Sequence, residues 1–222
     1  MKKLNLFLFA LLCTSTGLEA GVLSMTNQIA GSAGDTAIVD TSNIVLVTGI
    51  AASGYFTSGY DVDAGLANAI STGNFTTFLS NYNTLVSDQI GALGGSGFAG
   101  YYYGAVDYGT PLTNPYVGAA LYTILGNGAT LAASLQLGIL RSSDIVNSDT
   151  PTPDSNSVLL GRNGNTSLGN VTILMGSIGT NVMANSGGGL ASTASFKLQA
   201  IPEPSTLLLA SLGVFGLLRR RR

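Results

Sequence analysis

NFTTFLSNYNTLVSDQI, residues 74–90, decides how the rest of this chain is read. Its apolar positions are Phe75, Phe78, Leu79, Tyr82, Leu85, Val86 and Ile90. They are spaced by threes and fours, so that one face of a helix would carry them all. Asn74 stands where an N-cap is wanted, and Gly91, Gly94 and Gly95 stop the run. The spacing predicts one amphipathic helix over about 74–90, preceded by a weaker helical turn over 64–70.

Outward from that segment the text is strand-like. Residues 44–50 (IVLVTGI), 97–106 (GFAGYYYGAV), 119–125 (AALYTIL), 129–140 (ATLAASLQLGIL), 158–160, 171–175 and 194–201 (ASFKLQAI) are short apolar runs bounded by Gly, Asn, Asp or Pro. The last alternates, with Phe196 and Leu198 on one face and Lys197 and Gln199 on the other. Residues 142–157 (SSDIVNSDTPTPDSNS) read as an exposed loop. The 30 Gly among 222 residues fit strands joined by many turns. These signals predict a mainly β fold, an antiparallel β-sandwich or distorted barrel carrying one helix.

The two ends are of a different kind. Lys2 and Lys3 precede an apolar run over 4–12, broken only by Asn5, and a polar stretch then reaches Ala20. This is the layout of a secretory signal, and the run is too short to span a bilayer. Cleavage is expected between Ala20 and Gly21, with the bond after Gly17 as second choice. Cys13, the single Cys, leaves with the signal. At the other end, residues 206–218 carry no charge and would rise about 20 Å as a helix. Arg219, Arg220, Arg221 and Arg222 follow, and a cluster of arginines resists translocation. The chain therefore divides into a signal (1–20), a body (21–201) and a tail (202–222).

Charge separates body from ends. Residues 21–201 hold only Arg141, Arg162 and Lys197 against nine Asp, a net charge of −6. No cluster of cations is present to neutralise phosphates, so a nucleic-acid partner is excluded.

The order Pro202-Glu203-Pro204, apolar run, arginine cluster resembles the PEP-CTERM sorting signal. The resemblance covers about a tenth of the chain. It implies a bacterial protein that crosses the inner membrane through the Sec translocon. It further implies processing at the triplet by an exosortase-like membrane enzyme, with the tail in the membrane transiently or for good. The destination would be the cell surface or extracellular matrix, where exopolysaccharide is a possible partner. Pro202, Glu203 and Pro204 would be the recognition residues, and Arg219, Arg220, Arg221 and Arg222 the cytoplasmic stop. Body domains vary across the family, so neither fold nor activity comes with the tail.

The body offers little chemistry. Without His, the usual triads, His-ligated metal sites and His acid–base schemes are closed. Asp61 and Asp63 are the closest carboxylates, but neighbours of this kind suit a solvated turn better than the flanks of a glycosidase cleft. GYDVDAG (59–65) has a faint likeness to a calcium loop and lacks its terminal Glu, so a helix-capping turn is the better reading. Tyr101, Tyr103 and Tyr108, with Asp107, are the candidate glycan contacts, because phenol rings stack on sugars. As a strand, Tyr101 and Tyr103 would share a face and Tyr102 take the other. The expectation is a non-enzymatic structural or adhesive protein without metal or cofactor. A carbohydrate-binding module is the alternative, and a secreted glycan hydrolase comes third.

Overall fold

The computed structural model describes residues 22–27, 36–91, 99–107, 119–145, 156–159, 171–185 and 190–202. Residues 1–21, which hold the expected signal with Ala20 and Gly21, and the tail beyond Pro202 lie outside them. The body is mainly β, as expected.

Its centre is a six-stranded sheet. Strands β3 (Gly49–Phe56), β4 (Tyr82–Ile90), β6 (Ala120–Gly126), β7 (Gln136–Ile145), β9 (Val171–Met175) and β12 (Gln199–Ala200) build it in the order β12-β7-β6-β3-β4. Strand β9 shares the outer edge of β7 with β12: β12 takes Gln136 and Leu137, and β9 takes Ile139 to Ser142. Two three-stranded sheets accompany it. One is β5-β1-β8, from β1 (Val22–Thr26), β5 (Tyr103–Asp107) and β8 (Asn156–Leu159). The other is β10-β11-β2, from β2 (Thr36–Val39), β10 (Ser177–Asn185) and β11 (Leu190–Lys197).

The central sheet is buried on both faces. Ala51, Val86, Ile90, Leu121, Leu125 and Leu140 pack one face against Met25 of β1, Ile38 of β2 and Phe196 of β11. On the other face, Tyr122, Ile124, Leu137 and Ile139 meet helices α1 (Val62–Thr72) and α2 (Thr76–Ser80) through Leu66, Ala69, Phe75 and Phe78. Strand β6 accordingly buries every residue but its first. Such a strand reads as a continuous apolar run rather than an alternating one. The hydroxyls of Ser53 and Thr123 pair with each other inside the sheet.

Several expectations are corrected. The helix over 74–90 is not formed. Helix α2 stops at Ser80 and the chain turns directly into β4, with Thr57 N–H bonded to Asn81 O at 2.9 Å. The misleading period has a cause in the ladder. Val86 pairs Ser53 while Thr84 pairs Gly54, so Leu85 is an extra residue, a β-bulge. The bulge resets the alternation, and Leu85 and Val86 both pack toward one core, which imitates helical spacing. Asn74 does support α2, its Oδ1 accepting from Thr76 N–H at 3.0 Å. The weak turn over 64–70 lies in α1, an 11-residue helix. Residues 44–48 form a bridge and bend rather than a strand, which begins at Gly49. Within 129–140 the strand begins only at Gln136, after a 3-10 turn at Leu131–Ala133. The sheets are not purely antiparallel, since β1 runs parallel to β8 and β2 to β11. Parallel partners need long connections, and local patterning does not report them.

Two crossings join the sheets. At Gly176 (φ 103°) the chain passes from β9 to β10, and at Leu198, whose N–H bonds Val39 O at 3.0 Å, it passes from β11 to β12. Between them sits the Phe196 ring, fully buried, against Gly138 and Gly176. A Cβ on either glycine would overlap the ring. Gly138→Ala is therefore expected to cost about 1–3 kcal/mol as overpacking in an already dense core. Urea unfolding should show most of that cost vanish in a Phe196→Ala background. Equal cost in both backgrounds would contradict the contact.

Candidate functional site

The chemistry implied by the tail is a cut near residues 202–204, so the site begins where the body ends. Gln199 and Ala200 pair with Leu137 and Gln136, and Ile201 N–H donates to Leu135 O at 2.9 Å. Backbone order in the ladder thus continues to the last residue before the triplet. Pro202 has no N–H to extend it and is exposed. Glu203, Pro204 and Arg219 to Arg222 lie outside the described residues.

The hairpin that receives Ile201 is braced by side chains. Asn127 Oδ1 accepts from Leu135 N–H and Gln136 N–H, both at 3.0 Å. Ser134 Oγ donates to Thr130 O at 2.9 Å and accepts from Gly128 N–H at 3.0 Å. Gln136 Oε1 accepts from Thr41 N–H at 3.0 Å. These polar residues satisfy the turn's own backbone, while Leu131 packs half-buried against the helix-side core and Leu135 faces outward. Leu135 is 76 % exposed. A groove of about 790 Å³ runs between this hairpin, the Asn74–Leu79 side of α2, and the exit at Ala200, Ile201 and Pro202. None of its lining residues carries a charge. Residue patterning had no means of finding it, because its three walls are more than 120 residues apart in the chain at the extremes.

The tyrosine candidates separate. Tyr101 and Tyr102 are both fully buried, in different clusters, and only Tyr103 is exposed, at 54 %. Tyr101 and Tyr103 therefore do not share an open face, and Tyr101 cannot reach a glycan. The reason is local. Gly100 (φ 82°) turns the chain, Tyr102 N–H is held by Asn27 Oδ1 at 2.9 Å, and alternation starts only at Tyr103. Asn27, itself fully buried, also donates to Thr36 O at 2.8 Å and Gly100 O at 2.7 Å. Burial pushes the Tyr102 phenol well above its usual range and keeps it neutral. Asp107 pairs with Val22 at the end of β5, and Tyr108 lies outside the described residues. Tyr103 N–H donates to Asp88 Oδ2 at 3.0 Å.

Asp61 caps α1: its Oδ1 accepts from Ala64 N–H at 3.0 Å. Among the described residues no cluster of acidic or thiol groups has the makings of a metal site, and no helix is long and apolar enough to cross a membrane. Asp61→Ala should lower stability by about 1 kcal/mol and Asp61→Asn by only a few tenths, since Asn caps equally well. Added calcium should move neither urea midpoint; a calcium-dependent shift lost in both variants would overturn the capping role.

A family model described as the PEP-CTERM protein-sorting motif matches residues 200–222. No curated protein and no solved structure gives a match. The chain thus carries a sorting motif that marks it for exosortase processing, export and residence in the envelope or outside a bacterial cell. The body remains without a recognised relative.

Proposed function

We propose that this protein is a non-enzymatic structural or adhesive component of a bacterial surface or extracellular matrix, delivered there by its C-terminal signal. The observation that carries the reading is the sorting motif at 200–222, continuous with a β body that is folded up to Ile201. The composition suits the setting: a body of net charge −6 without His or a retained thiol stays soluble in a hydrated, anionic matrix and offers little reactive chemistry. Pro202, Glu203 and Pro204 act as recognition residues, and Arg219 to Arg222 hold the tail on the cytoplasmic side until it is cut.

Replacing residues 202–204 with three alanines in the native cells tests this directly. The altered protein should accumulate in the inner-membrane fraction with its tail, while the unaltered protein leaves that fraction. Unchanged export and processing of the triple variant would sink the assignment.

One observation favours glycan binding as a second reading. Tyr103 stands half exposed opposite Thr26 on the β5-β1-β8 sheet, with the Asp88 carboxylate beside its backbone. An aromatic ring flanked by hydroxyl and carboxylate can stack on a sugar and accept from its hydroxyls. On immobilised exopolysaccharide, Tyr103→Ala should elute earlier if that face binds, and together with the unaltered protein if it does not.

A further inference from the structure

The groove at the exit has no assigned occupant, and the chain's own dimensions indicate one. Ile201 is bonded into the sheet, and the apolar run begins at residue 206. Five residues span at most about 18 Å when fully extended. If the apolar run enters the bilayer, as the sorting reading requires, its rise of about 20 Å from arginines held at the cytoplasmic boundary leaves its start roughly 10 Å inside the outer edge of a hydrocarbon core about 30 Å thick. Of the linker's reach only about 8 Å then remains beyond the hydrocarbon, no more than the headgroup layer, which is roughly 5–8 Å deep. Whatever surface surrounds Ile201 must then meet lipid.

That surface is suited to it. Leu131, Leu135, Leu79 and Ile201 border the groove, Leu135 stands largely exposed, and no charged side chain lines it. No Asp lines the groove, and an anionic leaflet would repel one that did. The uncharged lining lets this part of an acidic body approach such a leaflet.

We infer that, before the tail is cut, the exit end of the body docks on the lipid surface, with Leu135 and its groove set into the interfacial layer. The body is thereby held with Pro202 at the depth where a membrane enzyme works, and cutting the tail frees the face from the bilayer.

The signal-processed chain that still bears its tail, purified from membranes and reconstituted in phosphatidylcholine–phosphatidylglycerol vesicles, provides the test. Cys13 is the single Cys and departs with the signal, so Leu135→Cys and Leu190→Cys would each carry one environment-sensitive dye. Leu190 is 72 % exposed and lies at the start of β11, about 23 Å of strand before Lys197. Expected is a blue shift at 135 and roughly twofold or greater quenching by spin-labelled lipid, with neither at 190, given burial some 5–10 Å into the interface. A blue shift at 135 without lipid quenching would mean that the tail or a second copy covers the groove, and would overturn the docking. An unshifted dye at 135 on vesicle-bound protein would overturn it as well while leaving the tail's insertion intact. Failure of the chain to co-float with vesicles would overturn both.

Discussion

Phe196 seated on Gly138 and Gly176 is the contact on which the rest of the body hangs. Two sheets approach closely at that point because neither glycine has a side chain to hold them apart. Removing a buried ring of this kind costs about 3–5 kcal/mol, a large share of a single domain's stability. The contact also has a direction. It fixes β11, Leu198 then crosses to the central sheet, β12 pairs β7, and Ile201 is pinned to Leu135. Through four consecutive steps of packing and hydrogen bonding, one aromatic ring sets the place where the sorting segment leaves the body.

The same need to cover the central sheet organises everything else. One face takes two small sheets and the other takes two helices, so β6 has no wet side. Asn27 ties the outer pieces together through three hydrogen bonds from a fully buried amide, linking β1 to the start of β2 and to the turn before β5. A buried polar group of this sort is favourable only when its partners are met, and here two of the three, at Gly100 and Tyr102, come from more than 70 residues away.

That distance explains what the sequence could and could not say. Residues 171–175 form a strand over those same residues, and across 196–199 the buried Phe196 and Leu198 alternate with the less buried Lys197 and Gln199 as written. The single strand read over 194–201 is two, however, β11 ending at Lys197 and β12 starting at Gln199 in another sheet. The acidic cap at Asp61 was legible because it is local. Residues 74–90 misled because a bulge at Leu85 shifts a period-2 pattern into something helical, and a bulge is visible only against its partner strand. The tyrosines misled because Asn27 and Gly100 delay the strand to residue 103. Of the candidate site, the triplet and the arginines were readable from their order alone. The groove beside them was not, being assembled from α2, a hairpin loop and the exit.

Function here is divided between address and body. The tail's chemistry is explicit: a motif at 200–222 attached without a spacer to a folded domain. The most direct measurement is the intact mass, with both terminal sequences, of the protein recovered from outside the native cells. A species that starts at Gly21 and ends within or beside residues 202–204 is expected, since a body folded through Ile201 survives a cut at that point. A recovered species that still carries Arg219 to Arg222 would contradict processing at the triplet and make the tail a permanent anchor.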